Sequence, residues 1–165
     1  MSRYTEHPLF CVTALVAALL ICGVVRGGEV PVEALTLGFD KLASYEFVAP
    51  EDPAKAAAAE AQIPAKVREF NDKKVLITGF MLPVKMDGGL VKEFLLVKDP
   101  MMCCYGVMPK VTEWVVVKMV GKGVPPLMDV PITFEGTLSV GQLYEGGYLT
   151  GLYLLKGERR IETKG

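Results

Sequence analysis

Two adjacent cysteines are the residues of this chain best suited to chemistry. Cys103 and Cys104 lie in a stretch with Met101, Met102 and Met108, so five sulfur atoms fall within eight residues. Thiolates and thioethers are soft ligands that suit Cu(I), and thiolates also bind Zn²⁺. Adjacent cysteines favour one soft ion in low coordination, because tetrahedral zinc sites prefer two to four residues between their cysteines. The stretch therefore predicts a candidate copper or zinc site at Cys103, Cys104, Met101 and Met108, and no other cofactor is expected.

The same pair of thiols has three other interpretations. A disulfide between Cys103 and Cys104 would close a strained ring, and strained disulfides are easily reduced, so the pair could serve as a redox switch. Either thiol could instead bond a partner chain outside the cytoplasm. Both could also be small buried hydrophobes that close one end of the fold. The residue types and their spacing leave these alternatives open.

The N-terminal segment sets the compartment in which these thiols would act. Residues 9–25 are continuously apolar or small, follow a polar start that contains Arg3, and are followed by Arg26 and two glycines. This pattern is typical of a secretory signal peptide, so we expect residues 1–27 to be removed and the protein to reach the periplasm or cell envelope. An uncleaved membrane anchor is the alternative, and the N-terminal segment would then be the chain's membrane contact. A lipoprotein signal at Cys22 is less favoured, because Ile21 before it is not small.

Loss of this segment limits the chemistry left to the mature chain. It removes His7, the only histidine, together with Cys11 and Cys22. A Ser-His-Asp triad is then impossible, and no other catalytic constellation is visible, so we do not expect an enzyme. The formal net charge of the full chain is −1, which lacks the basic excess of a nucleic-acid-binding protein.

The elements that must position the cysteine loop are mostly strands. Residues 28–62 predict a lead-in and an alanine-rich helical connector that begins at Asp52 and Pro53, and this connector should be solvated. Residues 63–158 predict a short helix over 64–70 and then a β-barrel domain, and residues 159–165 a charged tail that frays. The predicted strands cover 75–84, 91–97, 111–120, 130–140 and 148–155.

The strand pattern indicates the fold class. Residues 130–140 alternate cleanly between apolar and polar side chains, which is typical of a half-buried strand. Gly79 predicts a bend in the first strand, and Gly88 and Gly89 predict a hairpin turn after it. Five short strands with a bent first strand predict a mainly β, small OB-like barrel, with a β-sandwich as the alternative.

The last predicted hairpin carries a second candidate surface. Tyr144, Tyr148 and Tyr153 are candidates for a stacking surface that binds a glycan or peptide, as in other small barrels. The alternative is that these rings pack across the strands and bind nothing.

Five segments in order carry a family resemblance. IPAKVREFNDKKVLITGFMLPV, EFLLVKD, the cysteine loop, TEWVVVKM and PITFEGTLSVGQLYEGGYLTGLYLL together resemble, over residues 63–156, the bacterial domain-of-unknown-function family 3299. The resemblance implies an exported, non-enzymatic β-domain without an established activity. In many members the corresponding loop holds a cysteine, a nearby histidine and several prolines. Here it has Cys103 and Cys104 with Pro109 alone and no histidine, which is similar to the Planctomycetes-type variant.

Export, fold and loop together predict a function class. We expect a binding or accessory protein of the cell envelope, with an envelope protein as partner and residues 101–109 as its functional surface. The alternative is a thiol-based redox or soft-metal-handling protein that uses Cys103 and Cys104.

Overall fold

The computed structural model describes residues 33–101 and 109–162. The predicted signal segment, residues 1–27, lies outside the described residues. None of the helices within the described part of the chain has the length and apolarity needed to cross a membrane. The elements, in chain order, are β1 (Leu35–Thr36), α1 (Phe39–Leu42), a 3-10 turn (Pro53–Lys55), α2 (Ala56–Glu60), α3 (Ala65–Arg68), β2 (Lys73–Asp87), β3 (Leu90–Val97), a second 3-10 turn (Val111–Glu113), β4 (Trp114–Met119), β5 (Pro131–Glu145) and β6 (Tyr148–Ile161).

The strands close into a ring. They pair in the order β1-β2-β3-β4-β6-β5, and β2 also pairs with β5, so five strands surround one core. The neighbours in this ring are antiparallel, apart from β4 and β6, which run parallel. This confirms the predicted mainly β, OB-like barrel. Its closure is uneven, because the β4–β6 ladder extends only from the pair Val116 and Leu154 to the pair Met119 and Gly157.

The interior of the ring is apolar and close-packed. Phe94 on β3 and Phe134 on β5 are fully buried, and their ring centroids lie 4.8 Å apart. Leu42 of α1 and Val67 of α3 belong to the same buried cluster, so these short helices pack onto the barrel core. Burial of such side chains stabilises the fold by roughly 1.5–3 kcal/mol each relative to exposure.

Strands β2, β5 and β6 run further than the sequence pattern predicts, whereas the strand predicted over 111–120 is shorter, because Val111–Glu113 forms a 3-10 turn before β4. The tail expected to fray from residue 159 belongs instead to β6, since Arg159 pairs with Glu135 and Ile161 with Thr133 on β5. Arg159 also forms an ion pair with the Glu135 carboxylate, which Lys74 Nζ approaches to 3.2 Å. Glu135 is only 7% exposed, so both cations compensate a nearly buried charge. These cross-strand contacts explain why the charged segment is ordered as a strand.

Candidate functional site

Most of the predicted cysteine loop falls outside the described residues. Cys103, Cys104 and Met108 lie there, and of the four candidate metal ligands only Met101 is described, with an exposed side chain. Within residues 33–101 and 109–162, no three histidine, cysteine or acidic side chains are grouped as metal ligands would be. The metal, disulfide and redox hypotheses for Cys103 and Cys104 therefore stay predictions.

The structure does show how the base of this loop is held. Lys98 N donates a hydrogen bond to Glu113 O at 3.0 Å, and Lys98 Nζ lies 3.2 Å from the Glu113 carboxylate. At the C-terminal end of the loop, Lys110 Nζ contacts the Glu46 carboxylate at 2.7 Å. This ion pair raises the pKa of Lys110 and lowers the pKa of Glu46. Lys98 and Glu113 thus hold the two ends of the loop together, and Lys110 attaches the loop to the N-terminal lead-in.

The three candidate tyrosines have different environments. Tyr153 is fully buried, so the prediction that it contributes to a ligand surface is wrong. Its hydroxyl donates to Leu42 O at 2.7 Å and lies 2.9 Å from the Tyr45 hydroxyl. Burial, together with the hydrogen bond to Tyr45, raises the pKa of Tyr153 well above its ordinary value. Tyr153 therefore ties the N-terminal lead-in to the barrel.

Tyr144 and Tyr148 are exposed near the tip of the β5–β6 hairpin, at 39% and 79% respectively. The tip is the pair Gly146 and Gly147, both with positive φ, which suits the tight turn between the two strands. The structure thus leaves these two rings accessible, and their role in ligand binding stays a prediction.

An apolar groove lies on the outer face of β3 and β4. On this face, Leu95 pairs with Val116 and Val97 with Trp114. The residues that alternate with them, such as Phe94 and Val117, are buried in the core on the other face. The groove encloses about 700 Å³, and the β5–β6 hairpin forms one wall. Its aliphatic lining residues are Val84, Leu95, Val116, Leu143, Leu149 and Leu154. Because exposed sheet faces are usually polar, this surface is the strongest candidate for a binding site in the described chain.

Sequence reasoning missed this groove, although a signal for it exists. Strand β3 reads LVKEFLLV and β4 reads WVVVKM, so both carry apolar residues on both faces, in contrast to the clean alternation of β5. Strands that are apolar on both faces are covered on both faces. The pattern could have predicted a covered outer surface, but not which element covers it.

Trp114 holds the hairpin over the groove. The β4–β6 ladder begins only at Leu154, so residues 148–153 of β6 pair with no strand on that side among residues 33–101 and 109–162. Trp114 Nε1 instead donates a hydrogen bond to Thr150 O at 3.0 Å. The single tryptophan of the chain therefore lies in the groove floor and ties the hairpin wall to it.

The opposite edge of the hairpin is held by α2. Gln142 Nε2 donates to Ala56 O at 2.6 Å and to Glu60 Oε2 at 2.9 Å, and Gln142 N donates to the same carboxylate at 3.2 Å. Tyr144 Oη donates to Gln142 Oε1 at 3.0 Å. The connector expected to be solvated thus packs on β5, with Ala59 buried, because its polar groups satisfy the free strand edge.

A second hollow of about 560 Å³ adjoins the hairpin tip. Residues 49–51 form one side, and Tyr148 and the turn glycines the other. Tyr144 and Leu149 line both this hollow and the groove. The two cavities therefore meet at the hairpin.

Barrel and groove together define a class: a small OB-like β-barrel protein with an apolar groove on its outer face. A family model described as a protein of unknown function, DUF3299, matches residues 40–159. The chain belongs to the DUF3299 family, which confirms the family predicted from the sequence.

One solved structure supports the fold independently. It is the crystal structure, at 2.45 Å resolution, of a DUF3299 family protein from Pseudomonas aeruginosa PAO1, with a TM-score of 0.55 and 23% sequence identity. The match covers 80% of this chain and 99% of that chain, and at this identity it shows the fold alone. No curated protein shows significant similarity to the chain.

Proposed function

We propose that this protein is a binding or accessory protein of the cell envelope, and that its ligand occupies the groove on β3 and β4. One observation carries the proposal: the outer face of β3 and β4 is apolar apart from the pair Glu93 and Lys118, and a hairpin roofs it partly and leaves a groove open. Leaving such a surface in water costs roughly 25 cal/mol per Å² of apolar area, which a ligand would recover. OB-like barrels commonly bind through this face and through the hairpin beside it.

An apolar dye tests whether the groove binds. Trp114 is the only tryptophan and lies in the groove floor, so energy transfer from Trp114 to 1-anilinonaphthalene-8-sulfonate reports binding of the dye, and a groove variant shows where it binds. We expect saturable transfer in the wild-type protein and its loss in Leu95→Glu, which places a charge in the groove. Val130→Glu is the matched control, since Val130 is exposed and does not line the groove. Equal transfer in both variants would contradict the proposal.

The envelope location rests on the N-terminal pattern and has its own test. Residues 1–40 are fused to an alkaline phosphatase that lacks a signal and is active only outside the cytoplasm. We expect activity from this fusion and its loss when Leu15→Arg and Leu19→Arg interrupt the apolar run. Activity that survives both substitutions would argue against export by this segment.

The concentration of sulfur in residues 101–108 supports a second candidate function, thiol-based redox or soft-metal handling by Cys103 and Cys104. The native intact mass of the exported protein, purified without reductant or chelator, tests it. A mass about 2 Da below that of the reduced chain, absent in Cys103→Ser with Cys104→Ser, would show the disulfide. A mass raised by a metal ion would show metal handling, and a reduced, metal-free protein would remove both.

A further inference from the structure

We propose, resting on the groove-binding function above, that the occupant is an extended polypeptide segment. It would place alternate apolar side chains in the groove and a basic side chain at the hairpin tip. Three features of the described chain support this occupant: the adjacency of the two cavities, the kind of side chains that line them, and the charged groups beside them.

The two cavities adjoin at the hairpin, because Tyr144 and Leu149 line both of them. An occupant that spans both would cross these two side chains on its way from the floor at Val116 to residues 49–51. An extended peptide advances about 3.3 Å per residue and directs every second side chain to one face. Such a segment could fill the groove with alternate residues and leave the others in solvent.

The lining favours peptide side chains over sugar rings. Six aliphatic side chains line the groove, with two aromatic rings, Trp114 and Tyr144. Of its five polar residues, Glu93 and Lys118 pair with each other, Gln142 and Thr150 are already hydrogen-bonded, and the fifth is Glu145. Sugar recognition relies on aromatic faces and many polar partners, and here the Trp114 indole N–H is already bonded to Thr150 O. Aliphatic walls instead complement aliphatic side chains, for which burial is roughly proportional to apolar area.

The charges favour a basic occupant at one end. In the groove, Glu93 is paired with Lys118 at 3.4 Å. Glu145 lines the groove and Glu51 the second hollow, and in residues 33–101 and 109–162 no lysine or arginine forms an ion pair with either. Within the described residues, two carboxylates beside the hairpin therefore lack a salt-bridge partner, and such groups attract a basic side chain and repel nucleic acid or an acidic peptide.

Tyr144 is positioned before a ligand arrives. Its hydroxyl is bonded to Gln142, which is in turn held by Ala56 and Glu60 of α2. An exposed ring that is already fixed loses less conformational entropy on binding than a free one. Tyr144 thus offers a rigid wall where the apolar groove meets the second hollow.

Two synthetic peptides that differ only in charge test the inference. The probes are acetyl-LTVTLKK-amide and acetyl-LTVTLEE-amide, titrated against the mature protein at low ionic strength, with Trp114 fluorescence as the readout. We expect the lysine peptide to bind and to lose affinity about two- to tenfold in Glu51→Gln with Glu145→Gln, the range expected for exposed ion pairs. Glu33→Gln with Glu69→Gln removes the same charge from exposed positions outside both cavities and should leave affinity unchanged.

The outcomes separate this inference from the function beneath it. Equal affinity for the two peptides, or an equal loss in both double variants, would contradict the inference that the occupant has a basic end. Binding of tetra-N-acetylchitotetraose without binding of either peptide would contradict the inference that the occupant is a polypeptide. If neither peptide binds while the dye still binds in a Leu95-dependent way, the inference is wrong and the groove function stands. If the dye also fails, the groove function itself is wrong.

Discussion

The two ends of the β5–β6 hairpin are held in different ways. At the base, residues 133–138 of β5 pair with β6 on one edge and with β2 on the other, so strand ladders surround them. Towards the tip, β5 is no longer paired with β2, and β6 is no longer paired with β4. Single side chains replace the ladders there: Asn71 Oδ1 accepts from Val140 N at 2.8 Å, and Glu60 accepts from Gln142 N.

This difference separates stability from binding within one hairpin. The base buries Phe134 and Leu138 in the core, whereas the tip exposes Tyr144 and Tyr148 beside two cavities. Ladders on both edges make the base part of the cooperative core, while side-chain caps hold the tip without burying it. Substitutions at the base should therefore change unfolding, and substitutions at the tip should change binding.

Phe134→Ala should have the largest effect, because it empties a fully buried site that packs on Phe94. We expect a loss of about 3–5 kcal/mol in the free energy of unfolding, measured by urea denaturation. Tyr144→Ala, on the same strand near the tip, is the control and should lose far less. A loss below about 1 kcal/mol for Phe134→Ala would contradict the division between base and tip.

Tyr153→Phe should be next, because it leaves Leu42 O without the buried donor that now bonds it at 2.7 Å. We expect a loss of about 1–3 kcal/mol in unfolding free energy. Burial raises the pKa of Tyr153 above the ordinary value of 10.0, so the unfolded chain releases this proton first. Wild-type stability should thus be complete below pH 10 and fall as the pH rises above it.

The same variant checks the origin of that pH dependence. Urea denaturation of Tyr153→Phe between pH 8 and pH 11 should show a shallower alkaline fall than the wild type. Part of the fall should remain, because burial also raises the pKa of Tyr45. Identical alkaline slopes in the two proteins would rule out Tyr153 as the titrating group.

Gln142→Ala should act locally on the tip. It removes the hydrogen bonds to Ala56, Glu60 and Tyr144 that replace a strand ladder, at a cost of about 0.5–1.5 kcal/mol. We expect faster amide hydrogen exchange in residues 140–150 with little change at Leu138. Thr78→Val, which removes a hydrogen bond of 2.7 Å to Thr133 at the base, should leave exchange at the tip unaltered.

Tyr148→Ala should have the smallest effect on stability, within about 0.5 kcal/mol, because the ring is 79% exposed. It should nevertheless weaken binding of the lysine peptide, since Tyr148 lines the second hollow together with Glu51. Thermal denaturation gives the first quantity and Trp114 fluorescence the second. A large drop in melting temperature would show that the tip also supports the fold.

The sequence predicted which segments form strands, but it did not predict where those strands end. Period-two patterning and the glycine turns predicted five strands and the barrel that the structure confirms. The ends of β2, β5 and β6 were placed too early, because cross-strand partners decide how far a strand runs. Arg159 is an example, as its strand conformation depends on Glu135, which is remote in sequence.

The sequence by itself determined the family, the mainly β class, the inward residues such as Phe134, and the concentration of sulfur at Cys103 and Cys104. Only the tertiary structure decided which tyrosines are accessible. Tyr153 and Tyr148 have similar sequence surroundings, yet one is bonded to Leu42 in the core and the other is exposed beyond the last ladder. It also decided that Leu95, Val116 and Trp114 share a groove. The alternation of apolar and polar residues along a strand indicates which face of the sheet a side chain lies on. A cavity instead depends on elements that come together from distant parts of the chain.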